Sequence, residues 1–195
     1  MNVQQVCYST DEKKKLVCPW QLAPLIDNYL RPLIHNPLKL FAPYIEQGMT
    51  VLDVGCGAGF ASLGLAKLVG ENGSVIAADL QPKMLSIVKN RAARGGLSDR
   101  IRIHVCSSNK IGVREELDFV LAFFMVHEVL NTQAFIEEVF TLLKRGGLFF
   151  LTEPKVHVRS HDFKQLVSVA QEIGFEIAER PRVRFGHTVL LIKVE

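Results

Sequence analysis

Residues Val51 to Phe60, Val-Leu-Asp-Val-Gly-Cys-Gly-Ala-Gly-Phe, constrain the fold more than any other stretch of the chain: an apolar run breaks into three glycines spaced two apart and then enters a helical pattern. This is the signature of a buried strand, a tight turn and a helix start in immediate succession. Glycine has no Cβ and takes positive φ without steric cost. Gly55, Gly57 and Gly59 therefore let the backbone reverse sharply and approach a ligand close to a helix N-terminus. Asp79 adds a second constraint. It closes another apolar run, residues 74–78, twenty positions beyond Gly59, where a carboxylate can accept hydrogen bonds from both hydroxyls of a ribose. The pair points to a nucleotide-type cofactor.

The spacing narrows the cofactor. The dinucleotide fingerprint sets its third glycine one residue later than Gly59, to bring a helix under a pyrophosphate. Asp53, two residues before the first glycine, would repel a diphosphate but suits the cationic end of an amino-acid-bearing cofactor. S-adenosylmethionine has that end. With these residues the chain resembles the class I (Rossmann-like) S-adenosylmethionine-dependent methyltransferases, and within them the ubiquinone/menaquinone-type small-molecule group. The resemblance rests on the glycine motif, on Val75-Ile76-Ala77-Ala78-Asp79-Leu80 with Met84, and on Leu117-Asp118-Phe119-Val120 running into Met125-Val126-His127-Glu128-Val129. Leu142-Leu143-Lys144-Arg145-Gly146-Gly147-Leu148 completes it.

The rest of the chain reads as alternating strands and helices. Strands are expected over residues 49–54, 74–79, 101–106, 117–124 and 148–152, and a final pair over 175–182 and 187–194. Helices are expected over 60–68, 82–94, from Thr132 to the Gly146-Gly147 pair, and over 161–173. Alternating βα units imply a parallel doubly wound α/β sheet whose post-strand loops open on one face. The resemblance makes this a Rossmann-like, seven-stranded, mostly parallel sheet with an antiparallel C-terminal hairpin. Residues 49–195 form the cofactor-binding methyltransferase domain on this reading. Residues 1–48 carry Trp20 and several prolines among apolar positions and read as a segment of short helices. That segment either covers the cofactor and acceptor or simply buries apolar surface.

At 195 residues and 48% hydrophobic composition the chain can bury a sizeable core. No apolar run approaches the roughly twenty residues of a bilayer span, and Lys13-Lys14-Lys15 lies where a signal peptide would need an apolar core, so a cytoplasmic protein is expected. The four cysteines, Cys7, Cys18, Cys56 and Cys106, lie far apart without a Cys-x-x-Cys pair. They suggest free thiols rather than a metal site. The formal net charge of +3 reads as spread along the chain.

The resemblance assigns roles by position. Gly55, Cys56, Gly57 and Gly59, with Asp53, cradle the methionine part; Asp79 takes the ribose; Leu80 and Met84 flank the adenine; Cys106 and Ser107 border it; and Ala122 to Phe124, Phe123 above all, face the sulfonium region. Where the family commonly offers the adenine an acidic residue, this chain has Ser107-Ser108-Asn109. His127 and Glu153 are the candidate general bases, with Glu128 and His157 as acceptor-binding candidates, because neighbouring strands deliver all four to one face. A divalent metal held by these side chains is an alternative for the site, and so are purely structural roles. The acceptor is expected to be a small, partly apolar or aromatic molecule. Nucleic acid is disfavoured, since residues 122–125 lack an Asn/Asp-Pro-Pro-aromatic motif and no Pro-Cys nucleophile is present. The competing class is a non-catalytic S-adenosylmethionine-binding module; a nicotinamide-dependent oxidoreductase trails both.

Overall fold

The computed structural model describes residues 20–22 and 34–194 of the chain. Seven strands form one sheet: β1 (Thr50–Val54), β2 (Ser74–Asp79), β3 (Ile101–Val105), β4 (Leu117–Phe123), β5 (Leu143–Pro154), β6 (Phe175–Glu179) and β7 (Gly186–Lys193). Their spatial order is β3-β2-β1-β4-β5-β7-β6. The first five pair in parallel, and β7 runs antiparallel between β5 and β6. The expected doubly wound sheet with an antiparallel C-terminal hairpin is the observed one.

Side chains alternate across this sheet, which needs cover on both faces. Val51, Phe119, Leu121 and Phe150 point to one side, where α1 (Pro37–Phe41), α2 (Phe60–Leu68) and α3 (Pro82–Arg94) pack. Leu52, Val120, Phe149 and Leu151 point to the other, against α4 (Thr132–Leu142) and α5 (Ser160–Ile173). Phe41 anchors α1 by edge-on contacts to Phe119, Phe123 and Phe150. Helix boundaries follow local chemistry. Pro82 occupies the first turn of α3, and the Gly95 N–H closes its end on the Arg91 carbonyl. The Asn131 side chain caps α4 by accepting from the Ala134 N–H at 3.1 Å.

Several expected boundaries shift. The helix from Thr132 stops at Leu142, not at the glycine pair, because Leu143 turns extended and pairs with Leu117 at the start of β5. Lys193 Nζ donates to the Phe140 and Leu143 carbonyls left open there, at 2.8 and 2.7 Å. β6 ends at Glu179, short of Pro181, whose missing N–H suits a loop. Cys106 follows β3 instead of ending it. Of the expected N-terminal segment, the turn at Trp20–Leu22 and the helix α1 are described; Pro24, Pro32, Cys7, Cys18 and Lys13 to Lys15 lie outside the described residues.

Gly64 lets α1 and α2 touch. A Cβ built on it would lie 2.6 Å from the Pro37 Cβ, closer than any side chain tolerates. Gly64→Val should therefore lower the unfolding free energy by about 1–3 kcal/mol through overpacking, read from urea-denaturation midpoints.

Candidate functional site

The strand order reverses between β1 and β4, and a crevice opens above the carboxyl ends of such neighbours. A cavity of about 290 Å³ lies there, lined by the glycine turn, by Asp79 to Gln81, by residues 106–111 and by Phe123 to Met125. The turn after β1 is held from three sides. Cys56 N–H donates to the Ala78 carbonyl at 3.0 Å, the Gly57 N–H donates to Asp79 Oδ2 at 2.9 Å, and Arg91 of α3 donates to the Ala58 carbonyl at 2.8 Å. Gly55, Gly57 and Gly59 all have positive φ, 67°, 53° and 85°. Nothing lies within 4 Å of a Cβ built on Gly57, so the open space beside it is room for a ligand rather than for protein. Asp53 lines the cavity from the end of β1 and is 2% exposed; Ser62 Oγ donates to it at 2.5 Å.

Asp79 closes β2 with one carboxylate oxygen on the Gly57 N–H and the other on the Gln81 N–H at 2.8 Å. Burial raises its pKa, against the lowering effect of these backbone donors. Leu80 stands exposed on the cavity wall near buried Met84, an apolar flank for a planar ring. Cys106 and Ser107 line the same side, where the Ser107 hydroxyl donates to Asn109 Oδ1 at 2.9 Å. The Cys106 thiol is pushed up to about 12 by burial and by the charges of Asp79 and Glu138. Burial likewise pushes the Cys56 thiol well above its ordinary range. Both cysteines are thus poor nucleophiles near neutral pH.

Glu153 is fully buried at the end of β5 and does not line the cavity. It accepts from the Val126 and His127 N–H groups at 2.8 and 3.2 Å and from His127 Nδ1 at 2.5 Å. The carboxylate thus fixes the turn after β4 and directs the proton on His127 to Nδ1, leaving Nε2 as the free ring nitrogen. His157 lies beside it, ring centroids 5.4 Å apart. These three residues adjoin the cavity through Met125 and Glu128, which do line it. Among the described residues no group of three or more His, Cys, Asp or Glu side chains is arranged to hold a metal ion. Burial works to lower the His127 pKa, but the hydrogen bond to Glu153 and the charges of Glu153 and Glu128 outweigh it and raise the value above its ordinary 6.5.

Glu138 and His35 are not evident from sequence motifs, and Phe124, which the sequence places at the end of β4 facing the pocket, adds a backbone conformation that no motif announces. Glu138 of α4 accepts from the Ile111 and Gly112 N–H groups at 2.9 and 2.8 Å and fixes the loop beyond Cys106. Its trace in the sequence is a charge placed three residues after Phe135 and one before Val139, at the edge of the buried stripe. Phe124 lines the cavity with φ of 61°, a conformation costly for a bulky residue and concentrated at functional sites. His35, 7% exposed, stands edge-on to Phe123 and Phe124 while its Nε2 meets the Arg184 carbonyl at 2.7 Å. It carries no sequence signal beyond being a lone histidine.

A glycine cradle tied to a strand-end carboxylate, at the switch point of a sheet whose last strand inserts antiparallel, defines an α/β nucleotide-cofactor domain. Residues 45–181 match the family described as "Methyltransferase domain", and the chain belongs to that family, whose cofactor is S-adenosylmethionine. The cradle, the buried acidic pair and the apolar flank fit that cofactor. The chain is 31% identical over 137 residues to the ubiquinone biosynthesis O-methyltransferase of Methylocella silvestris, covering 67% of this chain and 52% of that protein. It is 29% identical over 168 residues to the ribosomal RNA small subunit methyltransferase G of Lactobacillus acidophilus, covering 81% and 66%. The chain spans about half the length of the curated relatives it matches first. A SAM-dependent methyltransferase from Aquifex aeolicus superposes with a TM-score of 0.74 at 25% identity, over 96% of this chain and all of that one.

The raised His127 pKa gives a sign for stability. Its contact with Glu153 contributes fully below the unfolded-state value and is lost as pH rises through the folded one. The melting temperature of wild type over His127→Gln should thus be larger at about pH 6 than at about pH 9, measured by thermal melts across that range.

Proposed function

We propose that this chain transfers a methyl group from S-adenosylmethionine to a small, partly apolar or aromatic acceptor. The observation that carries the reading is the Gly57 N–H donating to Asp79 Oδ2, which joins the glycine cradle and the ribose carboxylate into one binding wall. When bound, the cofactor supplies a methyl group on a cationic sulfonium. Gly55 to Gly59 and Asp53 hold its amino-acid end, Asp79 its ribose, and Leu80, Met84, Cys106 and Ser107 its base. Phe123 and Phe124 close the region between cofactor and acceptor, excluding water and aligning the acceptor's nucleophile. His127 takes the acceptor's proton at Nε2, Glu153 keeps the imidazole in that tautomer, and Glu128 and His157 orient the acceptor. Residues 49–195 form the methyltransferase domain, residues 1–48 its cover, and a cytoplasmic location belongs to the same reading.

The cavity favours a small neutral acceptor over nucleic acid. Among the described residues, Asp53, Asp79, Glu128 and Glu138 line it against one cation, Lys110, among rings of Phe60, Phe123, Phe124 and Phe135. A phosphate entering there meets like charge, whereas an apolar ring does not.

Calorimetric titration with S-adenosylmethionine, S-adenosylhomocysteine and NAD tests the cofactor. Both sulfur nucleotides should bind and NAD should not; binding of NAD alone would defeat the reading. Gly57→Val should abolish nucleotide binding while leaving the fold intact. Asp79→Asn, which sets an amide NH2 against one of two backbone donors, should weaken it roughly 10- to 100-fold. With an acceptor found by screening, His127→Ala should slow transfer by roughly 10²–10⁴ with little change in cofactor affinity. Wild-type turnover in that variant would make His127 structural, and failure of wild type to turn over any acceptor would favour the non-catalytic binding module.

A further inference from the structure

Beside the acceptor side of the cavity, two loops meet on the same face of the sheet. The loop after β5 carries Lys155, Val156, His157 and Arg159, and the loop before β7 carries Arg180, Arg182, Arg184 and Phe185. Lys155 N–H donates to the Phe185 carbonyl at 2.9 Å, and Pro154 stands opposite Gly186 in the strand register, so the two tips are locked side by side. Val156 is 84% exposed and Phe185 57%. Phe185 is held outward on a backbone of φ 61°, in a turn closed by the Gly186 N–H on the carbonyl of buried Val183. Two bulky apolar side chains are thus presented to water side by side, Phe185 from a turn that is locally strained to hold it outward.

The charge around them is one-sided. Lys155, Arg180, Arg182 and Arg184 are exposed and form no ion pair among the described residues. Arg159 pairs with Asp162 at 3.1 Å, and Glu179 accepts from the Tyr44 hydroxyl. The Arg184 guanidinium lies 5.0 Å from the Phe185 ring centroid, which keeps a cation next to the apolar tip. The patch also joins the site: the Arg184 carbonyl meets His35, and His35 stands against the cavity rings Phe123 and Phe124.

We propose that this face docks on an anionic lipid surface, with Val156 and Phe185 entering the headgroup boundary and the arginines and Lys155 on the lipid phosphates. Cations ringing protruding apolar tips are complementary to a surface that is charged outside and apolar beneath. Val156 decides against nucleic acid, since an aliphatic side chain can neither stack on a base nor bond a phosphate. The contact is peripheral: no described helix is long and apolar enough to cross a membrane. It sets the cavity mouth beside the bilayer, where an apolar acceptor partitions.

The test is sedimentation of the full chain with vesicles of pure phosphatidylserine and of pure phosphatidylcholine, with a single-stranded RNA homopolymer as competitor. The protein should bind the first and not the second, and added salt should release it. Val156→Ser with Phe185→Asn, and separately Arg180→Gln with Arg182→Gln, should each weaken vesicle binding roughly tenfold or more. Both variants should keep wild-type affinity for S-adenosylhomocysteine, which separates a failed surface from a failed cofactor site. Equal binding to both vesicles, unchanged binding by the variants, or displacement from phosphatidylserine by RNA would overturn the proposal.

Discussion

The hydrogen bond from the Gly57 N–H to Asp79 is the contact on which the rest of the site depends. It joins the turn after β1 to the end of β2, two elements that parallel pairing brings side by side but does not by itself fix in conformation. The three positive-φ glycines make the turn possible, and the carboxylate selects one of the many paths glycine permits. With Cys56 on Ala78 and Arg91 on Ala58, the backbone facing the cavity is set before any ligand arrives. Such preorganisation lowers the ordering cost of binding.

A second carboxylate does the same for the other half of the site. Glu153, buried at the end of β5, accepts from two backbone N–H groups and one imidazole, so the turn after β4 and the His127 ring are positioned by one group. Glu138 repeats the device on the loop after β3. The turns after β1, β3 and β4 are thus each pinned by an acidic side chain from another element. Asp79 and Glu138 also leave the cavity acidic, a property that bears on what can enter it.

Much of this was legible in the chain itself. The glycine spacing and Asp79 marked one wall of the cavity, and the βα alternation marked the sheet, because both are written in local pattern: glycine where φ must be positive, an apolar run where a strand is covered twice. The strand-to-helix boundary at Leu142 was not, since the pairing of Leu143 with Leu117 is a long-range contact that overrides a helical pattern. Glu153 was recognisable as important, but its burial under the β4 turn required knowing how two strand ends meet. Glu138 and His35 act only across the fold and carry no motif. The positive charge that reads as dispersed along the chain is partly gathered by the β5 and β7 loops, which residue counting cannot reveal.

The single tryptophan of the chain lies at the rim of this arrangement. Trp20 N–H donates to Gln81 Oε1 at 3.2 Å, and Gln81 is a wall residue of the cavity next to Leu80. Indole emission from the whole molecule therefore originates at one point, on a residue whose backbone is hydrogen-bonded to the cavity wall. The protein carries its own optical reporter at the rim of the pocket, and changes in that residue's surroundings can be followed without a label.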